Sequence, residues 1–219
     1  MPRRLEIIMK KLDNLNHSTR RNVLKATGLT FCSVFFGGMT GNAFSEEATP
    51  SLNPDLEPPT VAPGESRAAL VEWYKQNRAI GSQALIAAYG DLFGISRETA
   101  MKIACGFSGG IGLTGEVCGM VTAAIMLLGL KYGPANFGRG ETYNNTVELA
   151  KQFSKDFRER HKTVVCRELI QYDISTPEQY AKAHEVEGIW DICKQGTKTI
   201  IDLLENKYDI LNRNMETTS

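Results

Sequence analysis

From residue 65 onward the apolar positions keep a helical beat. Ala68, Ala69, Val71, Trp73, Tyr74, Ile80, Ala84, Leu85, Ala88 and Tyr89 recur at three- and four-residue spacing, the period of a helix face turned toward a core. Gly94 breaks that run, and Ser96 is placed to cap a short helix reaching about Cys105. Five glycines between 106 and 115 (Gly106, Gly109, Gly110, Gly112, Gly115) predict a flexible or tightly turned loop. Residues 116–131 carry Val121, Ala123, Ala124, Ile125, Met126, Leu127, Leu128 and Leu130, the profile of a central core helix. Glu141 to His161 reads as a polar amphipathic helix with Val147, Ala150, Phe153 and Phe157 on one side. Thr176-Pro177-Glu178 is an N-cap followed by proline at the first helical position. A last helix spans about Ile189 to Tyr208. No stretch alternates convincingly as a strand would. The expected fold is all-α, a bundle of about five to seven helices without an internal repeat.

The first 64 residues read differently. Residues 46–64 hold five prolines (Pro50, Pro54, Pro58, Pro59, Pro63), which suits an extended tether and neither a helix nor a central strand. Basic and acidic residues balance at 25 each, so no overall basic field draws the chain to nucleic acid. The balance hides a split. Residues 1–45 hold seven Lys/Arg against two Asp/Glu, leaving 18 against 23 in the rest. A basic leader on a mildly acidic body is the charge pattern of a targeting segment on a folded domain. Ser18-Thr19-Arg20-Arg21-Asn22-Val23-Leu24-Lys25 resembles a twin-arginine export signal. A weakly apolar run from Ala26 to Met39 follows, and Ala43-Phe44-Ser45 offers a cleavage site before Glu46-Glu47. The start is Met1 or Met9, and Cys32 would leave with the signal. The expected organisation is a signal over 1–45, a tether over 46–64 and a helical domain over 65–219, located in the periplasm or otherwise outside the cytoplasm. Twin-arginine substrates cross folded, often carrying a cofactor, so the signal itself favours a bound metal or cluster. No stretch reaches the roughly 18–20 uninterrupted apolar residues of a membrane span. The membrane would be met only through an uncleaved signal.

Candidate chemistry rests on the four cysteines beyond the leader: Cys105, Cys118, Cys166 and Cys193. The chain has no Cys-x-x-Cys pair, so thioredoxin-like and zinc-ribbon motifs are excluded, and no Cys-x-x-Cys-His, so haem c is not expected. The glycine loop lacks the lysine and preceding strand of a phosphate cradle. His161 and His184 read as solvated, and no nucleophile–base–acid arrangement identifies an enzyme.

Ala104-Cys105-Gly106-Phe107-Ser108-Gly109-Gly110, then Gly115-Glu116-Val117-Cys118-Gly119-Met120-Val121-Thr122-Ala123 and Leu128-Gly129-Leu130-Lys131-Tyr132-Gly133 resemble the C_GCAxxG_C_C family of small redox-active proteins. Cys166 and Cys193 fall where that family's third and fourth cysteines stand. The same cysteine domain occurs in split-Soret cytochromes. Two departures stand out. The family's Cys-Gly-Ala-x-x-Gly reads Cys118-Gly119-Met120-Val121-Thr122-Ala123, so two small positions have changed, and its first cysteine aligns with Gly81. If the chain reverses at Gly94, positions 81 and 105 lie at heights differing by about 3 Å at a rise of about 1.5 Å per residue. Cys105 is therefore the expected substitute for the missing thiolate.

Four thiolates suit an iron–sulfur cluster or a tetrahedral metal ion. Gly106 and Gly119, each directly after a cysteine, would let backbone N–H groups approach cluster sulfurs. The alternative needs no metal: in an oxidising compartment four cysteines can form structural or exchangeable disulfides. The resemblance implies electron transfer or redox sensing with an unspecified redox partner, and a homodimer stays open.

Overall fold

A computed structural model describes residues 56–212 of the chain; Arg20-Arg21, Cys32 and the first part of the proline-rich segment lie outside them. Eight α-helices are present among the described residues: α1 (Ala68–Gln76), α2 (Gly81–Tyr89), α3 (Arg97–Ala104), α4 (Gly119–Tyr132), α5 (Glu141–His161), α6 (Cys166–Ile170), α7 (Pro177–Ala183) and α8 (Asp191–Asp202). Short 3-10 turns follow α2 and α3, and a π-helical turn (Leu203–Lys207) extends α8. The only extended pairing among these residues is one antiparallel bridge, Val117 with Val165. The all-α expectation holds, with one more helix than expected.

Two helices go beyond the six runs read along the sequence: α6, and one from a break inside the first periodic run. Asn77 Nδ2 donates to the Trp73 carbonyl at 2.8 Å and ends α1. Arg78 then takes φ 68°, and α2 starts afresh at Gly81. No glycine or proline marks this reversal, so periodicity alone runs straight through it. Elsewhere local signals act as read. Ser96 Oγ accepts from the Thr99 amide at 3.2 Å to cap α3, and Thr176 Oγ1 accepts from the Gln179 amide at 3.2 Å to cap α7.

The centre is α2, packed against α1, α3 and α4. Seven of its nine residues are buried, and Ala84, Ala87 and Ala88 keep its surface thin enough for three neighbours. α4 lies against it and carries α5 and α8 on its other side. Leu85, Ile86, Leu127, Leu128, Phe153, Phe157, Ile200 and Leu203 fill the core between them. A second, smaller cluster (Cys166, Ile170, Ile174, Ala183) sits beneath α6 and α7. The tether is not wholly detached: Val61 packs on the main core, and Arg97 Nη1 donates to the Leu56 carbonyl at 2.8 Å. Among the described residues no helix is long and apolar enough to cross a membrane.

The glycine loop is a built turn. Five consecutive residues, Gly109 to Leu113, have φ between 54° and 72°, a region that costs L-residues roughly 1–2 kcal/mol each. Glycine carries three of the five, while Ile111 and Leu113 bear the strain. Gly112, Gly115 and Glu116 amides close back on the carbonyls of Gly106, Gly109 and Gly110 at 2.9, 3.0 and 3.1 Å. The loop thus delivers the chain to Cys118 in a defined direction.

Candidate functional site: a three-cysteine cavity

Between the two apolar clusters lies a cavity of about 210 Å³, lined by Cys118, Cys166 and Cys193 together with Gly81. Cys118 belongs to the large cluster and Cys166 to the small one, while Cys193 packs against both. What joins the first two is a short antiparallel ladder. The Cys118 amide donates to the Val164 carbonyl at 2.8 Å, and the Cys166 amide to the Glu116 carbonyl at 2.6 Å. Arg167 secures it, donating from Nε to the Gly115 carbonyl at 3.2 Å and pairing with Glu116. Gly110 makes the approach feasible, because a Cβ there would stand 2.7 Å from Cys166 Cβ and from the Glu116 backbone.

Each of the four positions opens a helix. Gly81 is the first residue of α2, Cys118 the N-cap of α4, Cys166 the first residue of α6 and Cys193 the third of α8. Helix starts carry amides without intrahelical acceptors and the positive end of the backbone dipole. The single-turn α6 adds little, but α2, α4 and α8 together favour negative charge in the cavity. At Cys118 the Val121 and Met120 amides act directly on the sulfur and favour its thiolate.

Burial works the other way. It raises the Cys118 thiol despite those amides. Cys193 is pushed up to about 11 by burial and then by Cys118, with Lys75 opposing. Cys166 is pushed up to about 12 by burial, then by Cys118 and Cys193, with Arg167 opposing. The thiols are near enough that ionising one resists ionising the next. None of the four domain cysteines is joined in a disulfide.

A pH dependence follows from the sign. Each cavity thiol sits above its ordinary 9.0, so the folded metal-free chain holds protons that the unfolded chain releases. The associated stability is complete below pH 9 and is lost as pH rises through 11 to 12. At pH 8, alkylation of these three cysteines by iodoacetamide should run at least about tenfold slower in the folded chain than in denaturant. Equal rates, read by mass spectrometry of each cysteine peptide, would contradict the burial.

Cys105 does not join the other three. It opens the 3-10 turn after α3 and is not among the residues lining the cavity. Ser82 Oγ donates to the Ala104 carbonyl at 3.0 Å, so the start of α2 and the end of α3 lie side by side. Position 81 faces Met120 on α4, not Cys105. Gly106 is likewise away from the cavity, with open space around it, whereas Gly119 lines it.

Three aromatic residues that sequence reasoning did not single out for the site complete one wall. Tyr180 and His184, four residues apart, stack around Trp190 with ring centroids 4.8 to 6.3 Å apart. Their i, i+4 spacing was the available signal. The Trp190 indole Nε1–H is buried with no hydrogen-bond partner, and such a donor calls for an acceptor.

The donor set fits a bound group. A single water needs about 10–15 Å³, so the cavity has room for a group of several atoms. Tetrahedral metal–sulfur bonds of about 2.3 Å hold thiolates within roughly 4 Å of one another. Among the described residues no three His, Cys, Asp or Glu side chains gather tightly enough to hold a single metal ion.

No curated protein and no solved structure matches the chain. The model of the family described as "Putative redox-active protein (C_GCAxxG_C_C)" matches residues 80–207. That match spans more than half of the chain and takes in Gly81, the glycine loop and all three cavity cysteines; the chain therefore belongs to the C_GCAxxG_C_C family of redox-active proteins.

Proposed function

We propose that this protein is an exported one-electron carrier or redox sensor, with Cys118, Cys166 and Cys193 holding an iron–sulfur cluster in the cavity. The observation that carries the reading is the convergence of three thiols, Cys118 and Cys166 buried and Cys193 half-buried, all at helix starts, on one space. Unliganded, these thiols stay protonated at neutral pH. A bound metal removes their protons and relieves the mutual repulsion of the thiolates. An iron–sulfur cluster would supply reversible one-electron chemistry. The chain's own contribution is to orient and to shield. The 115–118 and 164–167 ladder holds two sulfurs, the amides at Met120 and Val121 steady the Cys118 thiolate, and Tyr180, His184 and Trp190 line one side of the space. Thiol–disulfide exchange is served poorly here, since an attacking thiol needs a pKa near ambient pH.

Anaerobic reconstitution of the folded protein with ferrous iron and sulfide tests the reading. Iron and acid-labile sulfide should bind in a fixed ratio, with visible absorption that bleaches on reduction. A chain that takes up neither, yet loses free thiols pairwise on mild oxidation, would move the assignment to disulfide chemistry. For the export reading, full-length chain should be recovered outside the cytoplasm, and replacing Arg20-Arg21 with Lys-Lys should strand the precursor inside. Normal export of that variant would refute a twin-arginine route.

A further inference from the structure

We infer that the Met120 thioether is the fourth sulfur of the site, standing where position 81 has no thiol; this rests on the reading of Cys118, Cys166 and Cys193 as cluster ligands. The case begins with space. A Cβ built on Gly81 would lie 2.7 Å from Met120 Cγ and 2.7 Å from Met120 Sδ. The two positions thus compete for one volume, and the Met120 side chain fills it. Both are departures from the family pattern, a glycine for a cysteine at 81 and a methionine for an alanine at 120. Read together in three dimensions they are one exchange. The sulfur has changed helix, from the start of α2 to the start of α4, and still faces the cavity that both residues line.

The thioether is also held. Met120 is 7% exposed, and Thr197 Oγ1 approaches its Sδ at 3.1 Å. Thr197 shares its one hydroxyl proton between Sδ and the Cys193 carbonyl, 2.7 Å away, and accepts from Lys75 Nζ at 3.3 Å. Methionine as mere filler needs no polar neighbour at its sulfur. Here the neighbour is one helical turn from a proposed ligand and bonded to that ligand's carbonyl.

A thioether binds by donating a lone pair and has no proton to lose. Loading this site therefore takes one thiol proton fewer from the protein than loading a four-thiolate site would. The loaded site carries one negative charge fewer than its four-thiolate counterpart, which raises its reduction potential. The neutral donor also makes this corner the readily exchanged one. Thioether sulfur is soft enough to serve iron–sulfur and other thiophilic metal centres.

The test compares wild type, Met120→Leu, and the double variant Gly81→Cys with Met120→Ala, each reconstituted anaerobically with ferrous iron and sulfide. The double variant is required because a cysteine at 81 collides with Met120. Met120→Leu should retain at least threefold less iron after a chelator challenge. The double variant should regain wild-type retention, with a lower reduction potential and one proton more released per chain on loading than wild type. Wild-type retention and potential in Met120→Leu would overturn the thioether assignment alone, leaving Met120 as packing. Should Met120→Leu fail to fold, the double variant decides: a potential and a proton release both equal to wild type overturn the assignment. Wild type that takes up neither iron nor sulfide overturns the cluster reading, and this assignment with it.

Discussion

Cys166→Ser should abolish iron and sulfide binding while Cys105→Ser leaves both at the wild-type level. Serine is nearly isosteric with cysteine, so Cys166→Ser keeps the backbone bond to the Glu116 carbonyl and the contact with Gly110. The helical signal and the melting midpoint of the metal-free protein should move little. What goes is one corner thiolate. Even outer-shell changes at metal sites cost about 10–100-fold in affinity, so losing a ligand should leave less than about a tenth of the bound iron. Cys118→Ser and Cys193→Ser should behave alike, because all three line the same space. Cys105 opens the turn after α3 and is absent from the cavity wall. Anaerobic reconstitution of the four variants side by side, with iron per chain as the readout, makes the comparison. Loss of iron in Cys105→Ser equal to that in Cys166→Ser would return Cys105 to the ligand set.

Gly119→Ala should destabilise the domain by about 3 kcal/mol, the upper part of the usual range for overpacking. The cause is backbone and has little room to relax. A Cβ at 119 would stand 2.2 Å from the Phe107 carbonyl oxygen and 2.9 Å from its carbon, where contact needs more than 3 Å. Phe107 cannot move freely, since Gly106 and Ser108 on either side accept from the Gly112 and Leu113 amides at 2.9 Å. Relief must therefore pull apart the loop that aims Cys118 at the cavity. For a domain of about 150 residues the midpoint should fall by roughly 6–12 °C. Gly106→Ala is the matched control: open space surrounds it and its φ is not left-handed, so its midpoint should hold or rise slightly. Thermal melts of the two metal-free variants read the contrast. An unshifted Gly119→Ala would mean that α4 and the glycine loop do not meet as described.

Cys105 and Cys118 are each followed by a glycine in this chain, and sequence reading gave Gly106 and Gly119 the same role. The structure separates them. Gly119 is required by a carbonyl arriving from another segment, which no local rule can reveal. Gly110 was counted only as a loop glycine, yet it seats Cys166. Glycine content announces that something approaches closely without saying what.

Helix existence and type were legible along the chain, because a 3.6-residue period and capping residues are local properties. Glu141–His161 came out at its observed bounds, and Ser96 and Thr176-Pro177 cap where expected. The cysteines could be nominated from residue type and family pattern alone. What periodicity cannot supply is the rotation of one helix about its axis relative to another. Height along a helix placed Cys105 beside position 81, but azimuth turns position 81 toward Met120. Nor does local sequence carry the ladder between residues 115–118 and 164–167, formed across nearly fifty residues of chain. The sequence by itself determined an all-α bundle with a set of thiols to spend on a site. Tertiary packing alone decided which three cysteines line one cavity, that helix starts surround it, and that Met120 fills the space beside Gly81, because these depend on how separately formed helices fit together.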